Sequence, residues 1–198
     1  MQNVHTRFIN ETKNHTITIH RNDGLYRHVE FSNNGSSTYK FMLTTWPGYL
    51  SISGDMGCYV FQRIEDMFDF FHSDHVQPTA NLGYWGEKLQ AIEKNGGYKE
   101  FSYDGFIENL QQQLKDHAEY EDGFDQFGVW AELTEHMENC DHDHEEDCLT
   151  MAANFKSENG FEFSDVWHSS SKEYTFQYQW ICWAIAYGVR WFEEATKK

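Results

Sequence analysis

Polar and apolar residues alternate through the first third of the chain. Farther on, apolar residues recur at every third or fourth position. His15-Thr-Ile-Thr-Ile-His20, Arg27-His-Val-Glu-Phe31 and Tyr39-Lys-Phe-Met-Leu-Thr-Thr45 have the two-residue period of half-buried strands, with many β-branched residues. Asn22-Asp-Gly24 and Asn33-Asn-Gly35 are turn signals, and Trp46-Pro-Gly48 breaks the third run. Tyr49-Leu-Ser-Ile-Ser53 and Cys58-Tyr-Val-Phe61 flank the corner Ser53-Gly-Asp-Met-Gly57. The pattern predicts an antiparallel meander of four or five strands over residues 15–62.

Helical spacing takes over from there. Ile64, Met67, Phe68 and Phe71 fall on one face, as do Leu82, Trp85, Leu89 and Ile92. Ser102 is placed to cap a helix running from Phe106 to Leu114. Phe127 to Met137 and Glu145 to Phe155 predict two more helices around an acidic turn, and Phe161-Glu-Phe163 a short returning strand. Tyr174 to Thr196 reads as a long closing helix, apolar nearly all round and therefore central to a core. Strands first and helices afterwards predict an α+β fold. The expected organisation is one domain over residues 1–198: sheet to 62, helices over 63–165, and the closing core helix over 166–198.

Composition adds that the chain folds. Of 198 residues 39% are hydrophobic and 17% aromatic, and acidic disordered chains are poor in aromatics. The N-terminus lacks the basic and apolar regions of a secretory signal, and the apolar stretch from Trp180 to Val189 is too short to span a bilayer. Cys58, Cys140, Cys148 and Cys182 are scattered and read as reduced thiols, so a cytoplasmic protein without membrane association is expected.

Charge changes the picture most. The formal net charge is −17, and residues 100–165 hold nineteen acids against Lys115 and Lys156, which accounts for all of it. No Lys or Arg occurs between Asp116 and Phe155. Direct binding of nucleic acid by this region would be repulsive. A sequence selected for solubility alone would intersperse lysines.

The candidate partner-binding residues are therefore Asp116, Glu119, Glu121, Asp122, Asp125, Glu132, Glu135, Glu138, Asp141, Asp143, Glu145, Glu146 and Asp147. Glu132, Glu135 and Glu138 follow at spacings of three and can share one exposed helical face. Such a belt can imitate the phosphates of DNA, spaced at roughly one charge per 1.7 Å, or be a solvated acidic surface and no more.

The turn Cys140-Asp-His-Asp-His-Glu-Glu-Asp-Cys148 crowds thiols, imidazoles and carboxylates. Cys140, His142, His144 and Cys148 are its potential zinc ligands, but their spacing matches no common finger, and a polar interhelical turn without metal or other cofactor is expected. The Ser53–Gly57 corner lacks the lysine and helix of a phosphate-binding loop. No nucleophile elbow or Cys/His signature accompanies His72, His75, His136 or His168, so no catalytic residue is assigned and no enzyme expected.

Thr45-Trp-Pro-Gly-Tyr-Leu-Ser-Ile-Ser-Gly-Asp-Met-Gly-Cys-Tyr-Val-Phe61, Asp66-Met-Phe-Asp-Phe-Phe71, Gly83-Tyr-Trp-Gly-Glu-Lys88 and Tyr174-Thr-Phe through Trp180-Ile-Cys-Trp-Ala-Ile-Ala-Tyr-Gly188 resemble a family of hypothetical proteins of tailed phages and prophages. The resemblance covers both ends better than the acidic middle. It implies a phage accessory protein of the kind that counters host defences. Joined to the charge, it leads to an expected inhibitor of a host nucleic-acid-handling complex, of anti-CRISPR or anti-restriction type, whose partner is a host protein with a basic groove. A metal-binding enzyme or module centred on Cys140–Cys148, and an adaptor that binds a host protein without DNA mimicry, stay as alternatives.

Overall fold

In a computed structural model describing residues 3–94 and 96–197, six strands pair in the order in which the chain makes them. They are β1 (Thr16–Asp23), β2 (Tyr26–Ser32), β3 (Phe41–Trp46), β4 (Tyr49–Gly54), β5 (Gly57–Gln62) and β6 (Leu89–Ala91), all antiparallel to their neighbours. The register sets Ile19, Val29, Leu43, Ile52 and Tyr59 side by side in one row, and Ile17, Phe31 and Phe41 in the next. These rows lie on one face because side chains alternate along a strand, and from Val29 to Tyr59 they are buried. The β4–β5 hairpin turns on Gly54, whose φ is +153° and whose absent Cβ would stand 2.1 Å from the Lys40 carbonyl oxygen. The corner at Ser53–Gly57 is thus a structural turn.

The helix α7 (Phe176–Thr196) packs on that apolar face. It comes close at Gly188, where a Cβ would meet Leu43 Cδ1 at 2.8 Å and the rings of Phe41 and Phe31 just beyond. Trp180 is fully buried edge-on to Phe8 and Phe41, and its indole donates to Glu11 Oε2 at 2.8 Å. Phe8 and Glu11 come from α1 (Val4–Thr12), an N-terminal helix absent from the sequence expectation and capped by Asn3. Trp183 is only half-buried and stacks on His5 with ring centroids 4.0 Å apart.

Two expected helices are shorter than their apolar periods. In α2 (Met67–Phe71) the cap Asp66 binds Phe68 N–H, and Ile64 lies before the helix and is exposed. In α3 (Leu82–Gly86) the helix stops before Leu89, which enters β6 beside Phe61, and Ile92 is exposed. The sheet edge, rather than helical continuation, satisfies this backbone.

The chain divides into two compact units where one domain is expected: residues 1–99 with 174–198, and residues 100–173. The two crossings run through paired strands, β7 (Lys99–Phe101) and β8 (Lys172–Tyr174). The second unit has its own core, on α4 (Tyr103–Tyr120), α5 (Gln126–Met137) and α6 (Glu145–Asn154). Phe106, Leu110 and Leu114 face Val129, Leu133 and Met137, with Cys148, Leu149, Ala152, Phe155 and Phe163 closing the cluster. Ser102 and Asp125 cap α4 and α5 by accepting from Gly105 and Gly128 N–H. Phe161–Phe163 is not a strand; Ser157 closes the loop by accepting from Phe161 N–H at 2.8 Å. The fold is α+β. Among the described residues no helix is long and apolar enough to cross a membrane.

Candidate functional site

The unit boundary at residue 100 is also a charge boundary. Residues 100–173 hold twenty acids and three lysines, a net −17, whereas the other unit holds twelve of each sign and is formally neutral. All thirteen candidate carboxylates lie in the acidic unit, and all but Glu132 and Glu145 are exposed.

They do two kinds of work. Several have structural partners. Asp125 caps α5, Asp116 accepts from Gln112 Nε2 (2.6 Å), Glu121 meets His117 Nε2 (2.9 Å), and Asp141 accepts from Asp143 N–H (3.1 Å). Asp147 lies 3.5 Å from His144 Nδ1. Glu145 accepts from the Ser170 hydroxyl and lies 3.3 Å from Lys172 Nζ, and these two groups hold its carboxyl below the usual range against partial burial. Glu132 does not belong to an exposed triplet with Glu135 and Glu138: it is half-buried and accepts from Glu158 N–H at 2.8 Å, fastening the 157–161 loop to α5.

Glu119, Asp122, Glu135, Glu138, Asp143 and Glu146 differ. Each is exposed, and among the described residues none of their side chains makes a hydrogen bond or ion pair. For three of the six the placement is unfavourable for the helices. Glu119 is in the last turn of α4, Glu135 is in the last turn of α5, and Glu138 is the α5 C-cap, all at the negative end of a helix dipole. Glu146 alone sits in a first turn, where a carboxylate is favourable.

The cysteine- and histidine-rich turn comes together only in part. Cys140 Sγ and Cys148 Sγ lie 3.4 Å apart, and both thiols donate to the Asp141 carbonyl. Burial, reinforced by the neighbouring Cys140, pushes the Cys148 thiol up to about 12. The imidazoles are occupied elsewhere. His142 stacks on Tyr103 with centroids 4.1 Å apart and donates from Nε2 to the Met137 carbonyl, while His144 faces Asp147. Among the described residues no three His, Cys, Asp or Glu side chains converge on a point a metal could occupy.

One feature of the acidic unit is not among the sequence candidates. Phe127, in the first turn of α5, is a large aromatic left 78% exposed. With Trp130 it lines a groove of about 320 Å³ whose other wall is Gln111, Leu114 and Lys115 of α4. The helical period separates the two: Val129, Leu133 and Met137 form the buried stripe, and Phe127, two residues from Val129, falls on the opposite face. No protein family, curated relative or solved structure matches the chain.

Proposed function

We propose that this chain is a binding protein of phage origin that inhibits a host nucleic-acid-handling defence complex, with its acidic unit occupying a basic groove that would otherwise hold DNA or RNA. The observation that carries this reading is the set of unbonded, exposed carboxylates at helix C-termini in a unit of charge −17 attached to a neutral one. Charge that lowers the stability of its own helices, and is confined to one unit, is accounted for by a partner rather than by the fold. Complementary fields would accelerate encounter with a basic groove and exclude acidic competitors. The phage setting rests on the resemblance of the two ends of the chain to hypothetical phage proteins, and the cytoplasmic setting on that same origin.

The test is protection. Bacteria carrying an active restriction or CRISPR system should plate a targeted phage efficiently when they express the protein. Expression of the variant with Glu135, Glu138 and Glu146 changed to lysine should leave the phage restricted. Protection by the wild type and by this variant alike would remove the acidic surface from the mechanism, and an adaptor using another surface would replace it.

A further inference from the structure

Charge alone steers a partner but does not hold it, and the acidic unit carries an apolar feature amid its carboxylates. The groove between α4 and α5 is floored by Leu114 and Trp130 and edged by the exposed ring of Phe127. A phenylalanine left 78% in water contributes nothing to the core beneath it, and aromatics in desolvated pockets dominate binding energies at interfaces. Helical spacing sets acids along both walls. On α4 the stripe Glu108, Gln111, Lys115, Glu119 follows one face; on α5 the stripe Phe127, Ala131, Thr134, Glu138 does the same. A second copy of the acidic unit is disfavoured as occupant, because each would bring a charge of −17 to the contact.

We infer that the groove receives an apolar side chain from a basic segment of the partner protein, whose flanking lysines and arginines pair with Glu108, Glu119 and Glu138. This rests on the reading of the acidic unit as a protein-binding surface and adds its anchor point. The anchor is aromatic or a large aliphatic, because a groove of about 320 Å³ lined by two rings and a leucine accommodates one such group. Lys115, the one cation on the rim, sets the register. It repels a partner cation at its own position and leaves the Glu108 and Glu119 ends of α4 and the α5 wall to receive them.

The experiment uses the full-length protein and synthetic lysine/arginine-rich peptides carrying one central Phe, Leu or Trp. The same peptides with central Ala, and versions with glutamate in place of the cations, serve as comparisons. Amide NMR titration reads both site and affinity. The expected result is saturable binding of the anchored basic peptides, with shifts centred on Leu114, Phe127 and Trp130. Affinity should fall about tenfold when the anchor becomes Ala or when Phe127→Ser is used, as for an interface hot spot. Phe127→Ser alters an exposed ring and leaves the fold intact, and Lys115→Glu should tighten binding about two- to fivefold by removing a like charge. Basic peptides that bind equally with Ala at the centre, with shifts over Glu135, Glu138 and Glu146 alone, would overturn the groove while sparing the acidic surface. Failure of every basic peptide to bind at low salt would overturn both. Equal binding of the glutamate versions would overturn the basic identity of the partner.

Discussion

Neutralising Glu135 and Glu138 as glutamines should make the acidic unit more stable. Glu135 stands three residues from Glu132 and from Glu138, so the double change removes two like-charge pairs, each costing about 0.2–0.5 kcal/mol. It also removes two carboxylates from the C-terminal end of α5, each opposed by the helix dipole at about 0.3–1 kcal/mol at low ionic strength. Neither side chain makes a hydrogen bond that would be lost, so the gain should reach about 1–2 kcal/mol in dilute buffer. At 1 M salt, where the screening length is about 3 Å, most of it should vanish. Urea is the suitable denaturant because it is uncharged and leaves ionic strength free to vary. Amide signals of Val129 and Leu133 should be followed, since a two-unit chain need not unfold in one step. Glu132→Ala is the internal contrast: losing the acceptor for Glu158 N–H should cost about 1 kcal/mol at 1 M salt, offset in dilute buffer by the about 0.2–0.5 kcal/mol relieved with the Glu132–Glu135 pair. A double glutamine variant less stable than wild type, or one whose gain ignores salt, would show that these carboxylates serve the fold. No partner would then be needed to account for them.

Other outcomes follow from the neutral unit and the thiols. Asp66 binds Arg27 through two 2.7 Å hydrogen bonds, and this holds its carboxyl below the usual range. Its stabilisation is present above the unfolded carboxylate value and lost as pH falls through the lower folded one. Asp66→Asn should therefore cost about 1–3 kcal/mol at pH 7 in chemical denaturation, and progressively less under acid. Trp180→Ala should cost about 3–5 kcal/mol or prevent folding, since it empties a fully buried site and strips Glu11 of its indole donor; circular dichroism on heating reads it. Maleimide followed by mass spectrometry should label Cys58 and Cys140 in the native protein and spare Cys148 and Cys182. The latter two are buried, with thiols pushed up by desolvation.

Four of the five longest strands are legible because each alternates over at least five residues and ends against Gly, Asn or Pro; β5 is legible from the four residues Cys58–Phe61 and the Gly57 before them. β6 is not, because Leu82, Trp85, Leu89 and Ile92 keep a helical period through the point where the backbone leaves the helix. What ends α3 is pairing with β5, a long-range event that no local spacing encodes. The helix α1 is hidden for the opposite reason: only Phe8 and Thr12 along it are buried, too few to make a stripe, and its partner Trp180 lies 172 residues beyond Phe8. The charge boundary at residue 100 stands in the composition, and it coincides with a division of cores that the composition does not announce.

The sequence counts thirteen carboxylates as equal, and the structure separates them by what surrounds each one. Glu132 is taken up by a loop backbone and Glu145 by Ser170 and Lys172, so changing either perturbs the scaffold. Glu135 and Glu138 have water and one another, so changing them alters the field and little else. Phe127 and Val129 differ in the same way, two residues apart on one helix, one exposed and one in the core. An acidic unit that needed only to stay in solution would have no use for an exposed ring over a groove. Nor would a unit that needed only to fold set acids where the helix dipoles oppose them. The two departures occur on the same pair of helices, α4 and α5, and a single basic partner with one apolar anchor accounts for both.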